Sequence, residues 1–275
     1  MGSMLDLQGA QFTDPRLPKL RAYPGLTDGS LALLDASLIP TFDFGSISVA
    51  VPNLATSEAA RLTGKDASQL NFFYSNTLGL TGTTPEAKFE RTPKGGIHGI
   101  LSQVNQVAGH RARFQAAGLM DYIALHQNDH KFAIFMHYRV TKAGAGANAS
   151  AVTEALIASQ TSPSSNRLIV FRLPNAVQSA PAVIGLQSNK AGTDFTGTVF
   201  YQDLPVWGAA SGFGALVNNT CRSWVLYRMH LVDIDASGMT YDELLASETN
   251  IYNFNFGPGG KYAGDTLPTD PATFA

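Results

Sequence analysis

The sequence predicts an all-β protein built as an antiparallel β-sandwich, with short peripheral helices and extended segments at both ends. Three observations carry this. Short apolar or alternating runs recur between turn residues, as strands of a sandwich must. The 275 residues include 26 Gly and 14 Pro, which supply the many turns of such a fold. Hydrophobic residues make up 44% of the chain. That is enough for one large core, and single β domains run to roughly 200–250 residues.

In chain order, Phe12 to Asp28 carries prolines at 15, 18 and 24, each of which removes a backbone donor and biases its predecessor to an extended conformation. Residues 1–40 are therefore expected as an arm that either wraps its own domain or reaches a neighbouring subunit. Ser46 to Val51 reads as a strand stopped by Pro52, followed by a helix from Thr56 to Leu62 capped by Thr56 or Ser57. A short strand follows at Leu70 to Tyr74. Three glycines around His98 in Lys94 to Asn105 indicate a crowded backbone or a bulge where a strand starts. Phe114 to Gln127 is expected as a helical turn or two, broken at Asn128-Asp129. Lys142 to Ser165, rich in Ala, Ser, Gly and Thr, is expected as a long surface loop. Strands resume at 166–173, 180–187 and 197–202, and the stretch after Leu204 reads as an exposed loop.

Two long strands and a helix organise the rest. Phe132, Ile134, Met136 and Tyr138 alternate along one strand, and Arg222 to Asp235 forms a second, largely apolar on both faces. Thr240 and Glu243 make a capping box that starts a helix whose Tyr241, Leu244, Leu245, Ile251 and Tyr252 share one stripe. His137, Arg139, Arg228 and His230 are expected on the open face of a sheet, with the arginines bonded to carbonyls or acids, because an unpaired buried charge costs several kcal/mol. Val225, Tyr227, Met229 and Leu231 are expected to point into the core between the sheets. The tail, with four glycines and three prolines after Phe256, is expected to leave the body as a second arm.

Chemistry is sparse. Charged residues are 15% of the chain and the formal net charge is −2, so there is no basic footprint for nucleic acid. A surface so poor in charge suits either cover by neighbouring subunits or a neutral polar exterior. No apolar run reaches the roughly 18–20 residues of a membrane helix. The start has no signal-peptide pattern, and its MGSM fits a cloning scar, so synthesis in a reducing cytosol is expected. The lone Cys221 permits no internal disulfide and is expected as an inert buried thiol. No nucleophile elbow, metalloprotease helix, phosphate loop or dinucleotide fingerprint occurs. His126 and His130 stand four apart, but Asn128-Asp129 between them should end the helix, so no metal site is expected there. Asp233 and Asp235 read as a turn. For ligand binding, Trp207 can stack on a sugar ring while Asp203 accepts from its hydroxyls; the competing reading has Trp207 covering the end of the core.

The strand Leu226 to Ile234 running through a turn into Thr240 to Tyr252 resembles the closing signature of laminin-G-like, concanavalin A-like jelly rolls. More narrowly, four segments resemble structural proteins of tailed-phage and prophage virions that carry such a domain: Leu17 to Gly29, Lys94 to Gln106, Ser237 to Asn253 and Phe256 to Thr266. The resemblance implies a jelly roll over residues 41–256, flanked by an arm at 1–40 and a tail at 257–275. It implies a non-enzymatic virion protein, made in the bacterial cytoplasm, that acts by assembly with other virion subunits or itself, or by surface attachment. A module recognising a host-surface polysaccharide is the alternative, and a polysaccharide-degrading sandwich enzyme built on His137, Arg139, Arg228 and His230 a third. Domains of this kind often hold calcium at rim loops, but the matching carboxylate pair is missing here, so neither metal nor cofactor is expected.

Overall fold

The computed structural model describes residues 21–46, 48–146, 148–160, 166–188, 200–213 and 217–275. Among them run thirteen strands: β1 (Ser30–Asp35), β2 (Val49–Val51), β3 (Phe72–Asn76), β4 (Ala87–Arg91), β5 (Ile97–Leu101), β6 (Arg111–Gln115), β7 (Phe132–Lys142), β8 (Ala155–Ser159), β9 (Arg167–Phe171), β10 (Ala182–Gln187), β11 (Phe200–Asp203), β12 (Val206–Gly208) and β13 (Ser223–Asp233). Their pairings are antiparallel, and they form a six-stranded, a four-stranded and a three-stranded sheet, an arrangement consistent with a β-sandwich.

The large sheet runs β10-β7-β13-β5-β4. β13 is eleven residues long and buried throughout. β7 follows one of its edges, while β5 pairs with Trp224–Leu226 and β1 with Arg228–Val232 on the other. The second layer consists of β12-β6-β3-β2 and β11-β8-β9. Hydrogen bonds from Leu204 N to Phe114 O (2.7 Å) and from Val206 N to Glu154 O (2.8 Å) tie these two sheets together.

The main core lies between the layers. Phe132, Ile134, Met136 and Tyr138 enter it from β7, Phe72 and Tyr74 from β3, Phe114 from β6, and Ile157 and Ile169 from β8 and β9. Two indoles join the layers: Trp207 of β12 stacks on Trp224 of β13, with ring centroids 4.5 Å apart and planes 16° from parallel. Trp207 Nε1 donates to Trp224 O (3.1 Å), which satisfies its one donor inside the core. The glycines around His98 answer to this packing. A Cβ on Gly99 would lie 2.4 Å from Trp207 Cδ1, and one on Gly96 would lie 2.8 Å from both Tyr227 and Val225.

β13 does not keep the expected alternation. Its register against β7 shifts between Leu226 and Arg228. Trp224 and Leu226 before the bulge, and Met229 and Leu231 after it, all enter the main core. Val225 and Tyr227 therefore turn to the opposite face, with Tyr262 and Phe256, and Arg228 follows them there. The extra residue of a bulge resets which side faces in. The expected inward set is right for Met229 and Leu231 and wrong for Val225 and Tyr227.

Other expectations shift for local reasons. Within the expected arm, SLALLD is a fully buried strand, β1, because its apolar run fills one edge of β13; residues 1–20 lie outside the described residues. Within the expected long loop, β8 is wholly buried, and after Leu204 the expected exposed loop is β12, also buried. Helical structure within 114–127 begins at Ala117, as a 3-10 turn that runs into the α-helix Met120–His126, since the alternating RARFQ is strand β6. The helix Thr56–Thr63 forms as expected, although its N-cap is Ala55 without a side-chain cap.

The helix Tyr241–Phe256 starts with the expected Thr240–Glu243 capping box and lies over the outer face of the large sheet. The chain then straps that sheet instead of leaving it. Tyr262 is buried, with its hydroxyl 2.8 Å from Asp35 Oδ1, and Lys261 pairs with Asp35. Further along, Asp265 accepts from Lys94 N, Thr269 donates to Glu90, and Phe274 O accepts from Lys142.

Trp207→Ala should cost about 3–5 kcal/mol and Gly99→Ala about 1–3 kcal/mol, the first through a cavity between the layers and the second through overpacking against the same indole. Midpoints of urea unfolding read both, and a neutral Gly99→Ala would contradict the contact described.

Candidate functional site

The alternation of β6 builds a polar cleft on the described surface. Ala112 and Phe114 enter the core, so Arg111, Arg113 and Gln115 project outward. With Ser75 of β3 and Thr77 just after it, Tyr201 and Gln202 of β11, and Ser211, they line a cleft of about 380 Å³. Its lining carries two guanidiniums and no acid. The counter-charge lies beneath, where Asp203, fully buried, receives Arg113 Nη1 at 2.8 Å and Ser211 N at 2.7 Å. Arg111 donates from Nη1 to Ser211 Oγ (2.6 Å) and from Nε to Gly109 O (3.0 Å). Burial pulls the Arg111 guanidinium below its usual value, against the pull of Asp203; an arginine nevertheless stays charged. One buried carboxylate against two arginines leaves the cleft positive, preorganised for an oxygen-rich or anionic ligand.

Trp207 and Asp203 are thus placed differently from the expected sugar platform. The indole is 0% exposed, sealed between Trp224 and the edge of Phe89, and so covers the core instead of presenting a face to solvent. Asp203 is spent on Arg113 and Ser211 and acts on the cleft through them. Arg111 and Arg113 were not singled out from sequence; the signal was the alternation R-A-R-F-Q itself.

Of the four polar residues of the two long strands, His137, Arg228 and His230 do not sit on an open face. The closing helix covers them and brings in Glu248, whose carboxylate takes Arg228 Nε (3.0 Å) and Nη2 (3.1 Å) and lies 2.8 Å from His230 Nδ1. His137 Nε2 is 3.1 Å from the same carboxylate, at an angle that makes no hydrogen bond. Arg139 stays apart, half-buried, donating to Gln178 O. His230 Nε2 is 2.9 Å from Ser30 Oγ, so serine, histidine and glutamate stand at the spacing of a nucleophile relay. All three are buried, and neither the arginine cleft nor the groove beside Phe254 is lined by any of them. His98 is likewise enclosed, between Glu90 Oε1 (3.0 Å) and Thr141 Oγ1 (2.9 Å).

The electrostatics match a structural lock. Burial alone would raise the Glu248 carboxyl, but Arg228, His137 and His230 outweigh it and hold it well below the usual range. Burial lowers His137 and His230, with Glu248 opposing. On the far side of the core, burial pushes Glu154 up to about 7 despite Arg222, and pushes the Cys221 thiol up to about 12, as suits an inert cysteine.

No protein-family model, no curated protein and no solved structure matches the chain. Among the described residues no helix is long and apolar enough to cross a membrane.

The shifts fix a pH dependence. His137 and His230, lowered in the fold, contribute stability that is full above their unfolded value near 6.5 and is lost as pH falls. Glu154, raised in the fold, has the opposite sign: its contribution is lost as pH rises from 4.5 through about 7. Glu154→Gln should therefore steepen the loss of stability on acidification from about pH 7 to about pH 5. Urea midpoints across that range measure the slope, and an unchanged slope would count against the assignment.

Proposed function

We propose that this chain is a non-catalytic structural protein of a tailed-phage or prophage virion, a concanavalin A-like jelly roll that works by surface attachment. Its ligand is a host-surface polysaccharide bearing acidic groups, held in the Arg111–Arg113 cleft. The observation that carries this reading is the distribution of polar chemistry. Relay-type histidines and carboxylates are locked in dry clusters, while the exposed polar site offers two arginines, hydroxyls and amides without a nucleophile–base pair. Such a surface recognises hydroxyl and carboxylate oxygens and does not turn them over. The four sequence segments that resemble virion proteins supply the setting. Attachment is favoured over arm-mediated assembly because the tail is strapped to its own sheet, which removes one of the two arms assembly would use.

The test is glycan binding by the full chain. Arg111→Gln, which leaves the Arg113–Asp203 pair intact, should weaken binding to acidic polysaccharide by roughly tenfold, the worth of one charge-assisted hydrogen bond. Binding of the unaltered protein should also fall as salt rises. Equal binding by Arg111→Gln, or none to any acidic glycan, would overturn the assignment of the cleft. Copurification of the chain with phage particles, or its absence from them, tests the virion setting separately.

A further inference from the structure

The turn after the helix Met120–His126 brings together three side chains that the proposed function does not use. The regular helix ends at His126, as the Asn128-Asp129 pair predicts. The chain nevertheless keeps coiling: His126 O accepts from His130 N (2.9 Å) and from Asp129 N (3.3 Å). The two imidazoles consequently stack, with centroids 4.3 Å apart and planes 24° from parallel. One ligand atom from each of His126, Asp129 and His130 lies within 4.8 Å of the others. The helix thus ends where the sequence placed its end, and the two histidines still meet.

We propose that His126, Asp129 and His130 bind a divalent transition-metal cation of the Zn2+ class. Two imidazoles and one carboxylate are donors of the borderline kind that Zn2+, Co2+ and Ni2+ favour, whereas Ca2+ and Mg2+ call for oxygen sets. Tetrahedral ligand atoms about 2.0–2.1 Å from Zn2+ stand about 3.4 Å apart, so small side-chain rotations close the site.

Two further observations point to a ligand. First, His130 is already held as a metal-ligating histidine would be. Its Nδ1 is 2.6 Å from Asp233 Oδ2, a fully buried carboxylate that also takes Tyr122 OH (2.8 Å) on Oδ2 and Ala236 N (2.9 Å) on Oδ1. Donation to that carboxylate leaves the lone pair on Nε2 and fixes the ring. Second, His126 Nδ1 is shielded from solvent with no hydrogen bond, Asp129 Oδ2 standing 3.5 Å away. A cation between them would satisfy both atoms. The backbone is clamped as well, since Lys131 N donates to Asp235 Oδ2 (2.6 Å) and Lys131 O accepts from Ile234 N (2.8 Å). Asp129 is 63% exposed and the histidine side chains about a quarter, so the site admits a cation from solution. Three protein donors leave a coordination position open to water or to an outside ligand.

Titration of the full chain with Zn2+, in competition with a chromophoric chelator, measures the site; Co2+ reports its geometry by visible absorption. One equivalent should bind. His126→Ala and Asp129→Asn, both at solvent-reachable positions, should each weaken binding at least about tenfold. His110→Ala, which removes a histidine paired with Glu86 elsewhere, should leave it unchanged. No binding at micromolar Zn2+, equal affinity in His126→Ala and Asp129→Asn, or loss in His110→Ala instead would overturn the proposal.

Discussion

Strand β13 has to satisfy two interiors at once, and most of the molecule follows from how it does so. One face must meet the second layer, where Trp224 receives Trp207; the other must meet the closing helix. A regular strand with the sequence Trp224 to Val232 would put Arg228 and His230 on the face of Trp224 and Leu226. The shift at Tyr227 removes that conflict by placing Tyr227 and Arg228 consecutively on the helix side. The cost is one irregular pairing with β7. The return is that Arg228 and His230 leave the main core for a second interior in which they are paired with Glu248.

That second interior exists because Glu248 falls one turn beyond Leu244 on the buried face of the helix. A carboxylate there would be expensive alone, as would a guanidinium on the strand. Together, with a bidentate contact and His230 on the remaining lone pair, they fix where the helix sits. Pro24 O completes the arginine's partners and ties the segment before β1 to the same point. The arrangement stands at relay spacing, and its serine, histidine and glutamate are all buried among the described residues.

The low charge of the chain reads differently once the interior is known. Asp35, Glu154, Asp203, Arg222, Arg228, Asp233 and Glu248 are all buried, so part of an already small set of charges is withdrawn from the exterior. Each is matched: Asp35 by Lys261 and Tyr262, Glu154 by Arg222, Asp203 by Arg113, Asp233 by His130 and Tyr122. Two of these pairs underlie accessible groups, Asp203 beneath the arginine cleft and Asp233 behind His130. In both, a buried carboxylate orients a cationic or ligating side chain that reaches solvent.

Local pattern alone determined the β class, the two long strands, the Thr240–Glu243 start of the closing helix and the inward set of β7, because alternation and capping act over a few residues. It also placed the crowded glycines of β5, although not the indole that crowds them. What only the tertiary structure decided are features set by partners far away in the chain. The side of β13 on which Arg228 lies depends on a bulge against β7; the burial of SLALLD and of Val206–Gly208 depends on edges supplied by β13 and β6. The stacking of His126 on His130 depends on a turn held by Asp233 and Asp235. The Arg111–Arg113 cleft needs β3 and β6 of one sheet to meet β11 of another, which no single stretch of the sequence encodes, since a period of two specifies that side chains alternate but not what each face will meet.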